Sequence, residues 1–358
     1  MSRKKIQVVL SSLIAVGMLL FLLNEQISKR KSALEGDIVE SSNQIVMNTF
    51  GRIVVWAQTE NMGQECIEAG FEKIRHVEKL MNRYDSNSAI SILNATAFET
   101  DVKTDDVLFD VLQKSIEYSK KSDGAFDITV KPLIDFWKSC EKSNRLPSSD
   151  ELKKVHEKIG YEKLILNPNS RTVKFLVDGV SLDLGAIAKG YAIDSALAAI
   201  KAKGAFGAMV DVGGDIGCFG KSSSQQTWVI GLQKPNNLSQ IWLGKRIESG
   251  NILLKLKLTD KAIATSGNYQ RYYTIAGKKF SHIIDPATDS GTNDLASVTV
   301  IADKAIDADA LATTVSVLGI EKGLELIESM PATEAIIITN TNKSQLIKSN
   351  GADDYISK

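Results

Sequence analysis

Apolar and polar positions alternate over residues 46–58, with Ile53, Val55 and Ala57 on one face, so this stretch reads as a long strand or a strand pair. Over residues 63–84 the period changes. Cys66, Ala69, Ile74, Val77, Leu80 and Met81 recur mostly three or four apart, which predicts an amphipathic helix. A second helix is expected over 106–122, stopped by Ser122-Asp123-Gly124, and a third over 151–159. Short strands at 165–166 and 172–177 flank the turn-forming Asn167-Pro168-Asn169. An Ala-rich helix follows over 186–202. Strands are then predicted at 208–212, 227–232, 252–258, 262–266, 270–275 and 297–301, helices at 306–318 and 322–330, and a last buried strand at 335–338. No internal repeat is present. Strands and helices are segregated rather than strictly alternating, which favours an α+β fold over a doubly wound sheet.

One segment stands outside this pattern. Residues 6–23 carry only Gln7, Ser11 and Ser12 as polar side chains and follow Arg3-Lys4-Lys5. At about 1.5 Å per helical residue the run reaches about 27 Å, close to the ~30 Å hydrocarbon core of a bilayer. No Ala-x-Ala-like site closes the run and no Cys follows it to accept a lipid. The segment reads as an uncleaved signal anchor or transmembrane helix over residues 1–31; a cleaved export signal or a buried core helix is the other reading. A linker at 32–44, one catalytic domain at 45–345 and a tail at 346–358 complete the expected organisation.

The whole 358-residue chain is neutral, with 43 Lys+Arg against 43 Asp+Glu, but the sum has two unlike parts. Residues 1–31 carry a net +5 and the rest a net −5. A mildly acidic body is unsuited to nucleic acid, which is bound through positive charge. An anionic ligand must instead be gathered by local features. Cys66, Cys140 and Cys218 form no C-x-x-C pair, so they support neither a zinc site nor a redox motif and read as buried thiols.

Chemistry is concentrated in five stretches. Residues 122–129 set small residues beside an aromatic and two carboxylates: Ala125, Phe126 and Asp127 lie where a ligand can approach the backbone closely. In the stretch 182–194, a strand ending at Asp183, a turn through Gly185-Ala186 and a helix start bearing Lys189 form a layout suited to phosphate. A plain helix packed on a sheet gives the same letters. Lys189 is followed by Gly190, so this is not a Walker A loop. Residues 210–215 are a strand running into a Gly-Gly turn. Residues 264–269 lead through a short hairpin to Ser281-His282-Ile283-Ile284-Asp285-Pro286, where His282 has the character of a base or an orienting donor. In 305–314, Asp309 and Thr313 are four apart and share one helical face. These oxygen ligands suit Mg²⁺, although an acidic helix start explains Asp307 and Asp309 without a metal.

The order and content of these stretches, with Met47-Asn48-Thr49-Phe50, Met81-Asn82-Arg83-Tyr84-Asp85-Ser86, Ile92-Leu93-Asn94, Asp211-Val212-Gly213-Gly214-Asp215 and Ser266-Gly267, resemble the ApbE family of FAD:protein FMN transferases. The resemblance spans about Met47 to Ile338 and implies a T-fold-related catalytic domain. It implies a Mg²⁺-dependent exported transferase that cleaves FAD at the pyrophosphate, attaches FMN through a phosphoester bond to a Thr or Ser of a partner protein, and releases AMP. By that resemblance Ala186, through its carbonyl, Asp309 and Thr313 hold the metal. FAD contacts fall on Met47, Tyr84, Ala125, Phe126, Asp127, Asp183 and Lys189, and catalysis on His282, with Asp285 as the other candidate base. The implied acceptor is a subunit of a membrane redox complex, a sodium-pumping NADH:quinone oxidoreductase or an Rnf-type complex. The implied location is the bacterial inner membrane, with the catalytic domain facing the periplasm.

Two positions depart from the family pattern. After Asp285-Pro286 the usual Thr-Gly is replaced by Thr288-Asp289, with Gly291 later, and Lys131 precedes Pro132 where Gly is usual. Two further readings stay open: a hydrolase that splits FAD to FMN and AMP, and a flavin-binding protein without catalysis.

Overall fold

The structure, a computed structural model, describes residues 36–224, 226–235, 252–267, 272–292, 294–340 and 344–357. The apolar run at 6–23, with the anchor assigned to it, lies outside them. Among the described residues no helix is long and apolar enough to cross a membrane.

The chain opens with β1 (Asp37–Glu40), β2 (Gln44–Val46) and β3 (Thr49–Ala57), then α1 (Glu60–Met81), α2 (Ala89–Thr96), β4 (Val102–Lys103) and α3 (Asp106–Lys121). Helices α4 (Lys131–Ser143) and α5 (Ser149–His156) and strands β5 (Leu164–Asn167) and β6 (Thr172–Phe175) lead to α6 (Ala188–Ala202). Strands β7 (Gly207–Val212), β8 (Asp215–Gly220), β9 (Trp228–Gln233), β10 (Ile252–Leu258) and β11 (Lys261–Gly267) follow. Two small hairpins come next: β12 (Tyr272–Ile275) with β13 (Lys278–Ser281), and β14 (Ile284–Asp285) with β15 (Ser290–Gly291). The chain ends on β16 (Leu295–Ala302), α7 (Ala305–Glu328), β17 (Glu334–Thr339) and β18 (Leu346–Lys348).

One sheet runs in the order β1-β3-β7-β8-β11-β16-β17-β18, with β2 folded back on β3, and its pairings are antiparallel. Side chains alternate across it. Ile53, Val55, Ala208, Val210, Ala262, Ala264, Val298 and Val300 point to the face covered by α1, α6 and α7, in the main core. Val54, Cys218, Ile263, Ile301 and Ile336 point to the other face, where the β9–β10 hairpin lays Trp228, Ile230, Leu256 and Leu258 over them. An antiparallel sheet with helices gathered on one face is the α+β arrangement expected from the segregated pattern.

Several expectations change. The 46–58 stretch is a strand pair, turned at Met47-Asn48 with φ of 51° and 59°. The two-residue turn needs left-handed backbone at both positions, which costs Met47 on the order of 1 kcal/mol because of its Cβ. The expected domain bounds at 45 and 345 are too narrow: β1 pairs along β3, β18 pairs along β17, and Ser357 N–H donates to Lys255 O at 2.7 Å. Residues set aside as linker and tail therefore complete the sheet edges. The two helices expected at 306–318 and 322–330 are both present within α7, and the non-helical backbone of Gly319 (φ 77°, ψ −170°) parts them. No strand ends at Asp183; residues 180–184 belong to no strand or helix. The three cysteines are free and buried.

Candidate active site

The helix carrying Asp309 is set by its first turn. Ala305 N–H and Ile306 N–H donate to the two carboxylate oxygens of Asp194, on α6, at 2.8 and 3.0 Å. This cap satisfies donors that a helix start leaves open and suits the positive end of its dipole. It also fixes α6 against α7. The contact is close enough that a Cβ on Gly190 would stand 2.2 Å from the Ala305 carbonyl oxygen, so only glycine fits after Lys189. The Lys189-Gly190 pair is thereby explained by helix packing, and Gly190 N–H is left to donate to Asp309 Oδ2 at 3.0 Å.

Lys189 reaches into the same place. Its Nζ contacts Asp215 Oδ2 and lies 3.1 Å from Asp309 Oδ1. Both carboxylates are almost fully buried. Asp215 opens β8 just after the Gly213-Gly214 turn, and its Oδ1 accepts Thr265 N–H from β11 at 3.1 Å. Burial pushes the Lys189 ammonium toward neutrality, but Asp215 and Asp309 outweigh it and hold the proton more tightly than in water. One turn beyond Asp309, Thr313 Oγ1 is 3.2 Å from Ser266 Oγ, at the end of β11.

A second group converges on the chain just before α6. Asp183 is buried, forms an ion pair with Arg83, accepts Gly185 N–H at 2.8 Å, and donates its own N–H to Ile128 O at 2.8 Å. Asn94 clamps both backbone groups of Leu182, accepting N–H at 2.7 Å and donating to the carbonyl at 3.0 Å. The stretch before α6 thus needs no strand partner: Arg83, just past the end of α1, and Asn94 on α2 hold Asp183 and Leu182 in place. Tyr84 is 67% exposed, with the Arg83 guanidinium 4.9 Å from its ring centroid and Lys138 Nζ at 5.8 Å. A solvent-facing aromatic flanked by cations can stack on a planar ring. Asp127 accepts both Thr129 N–H and the Thr129 hydroxyl at 2.7 Å, and burial raises its pKa against those bonds. Phe126 is 2% exposed and packs edge-on against Tyr118, so Phe126 and Asp127 shape the turn from inside, while Ala125 lies at its half-buried rim. Met47 packs partly on the main core, and the turn it forms lies beside the Gly213-Gly214 turn, where Gly213 N–H donates to Phe50 O at 2.8 Å.

His282 and Asp285 sit on a separate arm. The β12–β13 and β14–β15 hairpins pack on α4 and α5 through Leu133, Trp137, Ile159, Tyr273, Ile275 and Ile284. Asp285 accepts Ala287 N–H at 2.9 Å and the Thr288 hydroxyl at 3.0 Å. The loop that departs from the family pattern is pinned at Asp289 (φ 57°): its carbonyl accepts Trp137 Nε1–H at 2.9 Å and its carboxylate lies 2.9 Å from His156 Nδ1. Asp289 is thus an anchor to α4 and α5. A Cβ on Gly291 would lie 2.5 Å from the Ser281 carbonyl oxygen, so β15 closes directly on the backbone that presents His282.

The residues expected to hold a metal are compatible with Mg²⁺. Asp309 and Thr313 offer a carboxylate and a hydroxyl from adjacent turns, and Ala186 lies in the turn entering α6. All three donors are oxygens, the set a hard cation takes. No group of three or more His, Cys, Asp or Glu side chains fit for a metal ion is found among the described residues. The expected residues thus fall into three groups: Lys189, Asp309 and Thr313; Tyr84, Asp127 and Asp183; His282 and Asp285. Sequence reasoning gave no role to Arg83, Asn94 or Asp215, although all three stood inside motifs that carry the resemblance.

Known proteins share this sequence pattern and fold. The model of the ApbE family matches residues 47–337. The FAD:protein FMN transferase of Treponema pallidum is 29% identical over 313 residues, covering 83% of this chain and 84% of that protein. The transferase of the same name from Buchnera aphidicola is 31% identical over 255 residues, covering 70% of this chain and 72% of its own length. Among solved structures, the ApbE protein of Thermotoga maritima superposes with a TM-score of 0.78 at 26% identity, over 90% of this chain and all of that one. The flavin transferase ApbE of Vibrio cholerae gives 0.72 at 25%, over 90% and 99%. With fold, motif order and a profile match over most of its length in agreement, the chain belongs to the ApbE family, whose relatives here are transferases.

Proposed function

We propose that this chain is a Mg²⁺-dependent FAD:protein FMN transferase. The observation that carries the reading is the segment 183–189, which links the ion-paired Asp183, beside the exposed Tyr84, to the Lys189, Asp309 and Asp215 group within a few residues. A ring-stacking surface and a phosphate-handling centre on one short stretch match the two ends of a flavin nucleotide.

In the proposed reaction a Thr or Ser hydroxyl of the acceptor protein attacks the phosphorus on the FMN side of the FAD pyrophosphate. The new phosphoester O–P bond forms as the anhydride bond breaks, and AMP leaves with the electron pair. Asp309, Thr313 and the Ala186 carbonyl would hold Mg²⁺, which neutralises charge on the phosphate oxygens. Lys189 supplies a second positive charge, kept fully protonated by its carboxylate neighbours. His282 takes the hydroxyl proton. Asp285 holds the turn behind it, since both its oxygens already accept bonds from Ala287 and Thr288.

By the same reading the acceptor is a subunit of a membrane redox complex of the NADH:quinone oxidoreductase or Rnf type. The apolar segment 6–23 tethers the enzyme at the inner membrane with its catalytic body in the periplasm. The test is to incubate the chain with FAD, Mg²⁺ and an acceptor domain bearing a flavinylation-type Thr. Fluorescent acceptor on a denaturing gel supports transfer; free FMN without labelled acceptor means hydrolysis, and intact bound FAD means storage. Asp309→Ala is expected to abolish the Mg²⁺-dependent reaction while the circular dichroism spectrum is kept. Undiminished labelling by that variant would remove the metal assignment.

A further inference from the structure

Asp215 touches no reacting group in the chemistry above, yet it is 4% exposed and sits against the cation that the chemistry uses. Two carboxylates, Asp215 and Asp309, share one ammonium, Lys189. The pair of acids therefore keeps one negative charge in a buried place, which is costly unless it serves something.

The two acids are not equivalent. Asp215 makes the tighter contact with Lys189, and its other oxygen is fixed by Thr265 N–H, itself in β11 with its hydroxyl 2.9 Å from that of Thr299 on β16. The sheet thus holds Asp215 in place. Asp309 has the longer contact to Lys189, 3.1 Å, and one bond from Gly190 N–H, and a carboxylate has about four acceptor sites. If Asp215 were neutral, Asp309 would be the sole anionic partner of the Lys189 ammonium among the described residues, and a divalent cation would have to break that pair to bind.

We propose that Asp215 is a positioning residue that keeps the Lys189 ammonium seated toward the sheet, so that Asp309 retains open acceptor sites for a divalent cation. The inference rests on the metal reading of Asp309 and Thr313. Asp215 acts through Lys189, so its effect depends on whether that lysine is charged. A residue that only added negative charge near the metal would act equally with or without the ammonium.

The experiment is a double-mutant cycle read by binding rather than turnover. Mn²⁺ is titrated into the full chain without FAD and free ion is measured by electron paramagnetic resonance, for the unaltered chain, Asp215→Asn, Lys189→Gln and the double variant. The expected result is that Asp215→Asn weakens Mn²⁺ binding about tenfold or more when Lys189 is present, and by a clearly smaller factor when Lys189 is Gln. An equal factor in both backgrounds overturns the role of Asp215 and leaves the metal reading standing. No Mn²⁺ binding by the unaltered chain overturns the metal reading and this inference with it. Should Asp215→Asn fail to fold, Asp215→Glu replaces it in the same cycle, since the longer side chain shifts the ammonium away from the sheet; an equal factor with and without Lys189 again overturns the proposal.

Discussion

Asp194 shows how a buried acid can serve geometry at a cost that depends on pH. It caps α7 and so aims Asp309, but burial raises its pKa from 3.8 to about 6, against the two backbone N–H bonds it accepts. An acid raised in the folded chain holds its proton more tightly there than in the unfolded chain. Folding therefore takes up a proton between the two values, and this contribution to stability is lost as pH rises from about 4 through about 6. Asp194→Asn keeps a side-chain acceptor and removes the ionisation. Denaturant unfolding of both chains at pH 5 and pH 7.5 should show the unaltered chain losing stability relative to the variant on going to the higher pH. The expected change is about 1.4 kcal/mol, one pKa unit's worth, because the remainder of the shift is already expressed below pH 5. A gap that stays constant would show that the cap is fully ionised throughout.

Among the elements, the arm that carries His282 depends on backbone closeness more than on side chains. Gly291 pairs with Ile284 and leaves no room for a Cβ against Ser281. Gly291→Ala must push β13 or β15 aside and so move His282, at a stability cost of about 1 to 3 kcal/mol. A displacement near 1 Å at a catalytic group costs roughly 100-fold in rate, so acceptor labelling should fall far more than the melting temperature does. Labelling at the unaltered rate would show that the position of His282 is set elsewhere. The same arm shows what the pattern of residues could and could not convey. Helix α1 and strand β3 were legible because each buries one face, at spacings of three to four and of two. Helix α4 carries a comparable signal in Leu133, Trp137 and Cys140, all buried, yet was not among the expected helices; Pro132 sits in its first turn, where its missing N–H has no helical partner to lose. Strand β8 gave no alternation because Gly217 must pass close to Ile193 and Leu197 of α6. Asp183 looked like a strand end because its neighbours are apolar. The chain there is held instead by Asn94, which bonds Leu182 from 88 residues away, a contact no local pattern encodes. The candidate site was legible as a set of motifs, and the partners that orient it, Arg83, Asn94 and Asp215, became visible only through their contacts.

At the scale of the whole molecule, the division of charge matches a division of labour. The body, net −5, closes its sheet on both faces with residues that begin at β1: helices on one side, the β9–β10 hairpin on the other. Residues 1–31, outside the described residues, carry net +5 and one run of apolar side chains. An acidic body gains nothing from anionic lipid, so the membrane attachment proposed above would come from that head, by insertion of about 18 apolar residues rather than by surface charge. The two modes separate by salt. The full chain is expected to sediment with membranes and to stay there in 1 M salt, where screening shortens electrostatic reach to about 3 Å, while detergent releases it. Removal of residues 1–31 should place the chain in the soluble fraction with FAD-dependent labelling of an acceptor domain intact. Release of the full chain by salt alone would mean that the head binds as a basic surface patch, and membrane retention of the shortened chain would mean that the body itself carries the contact.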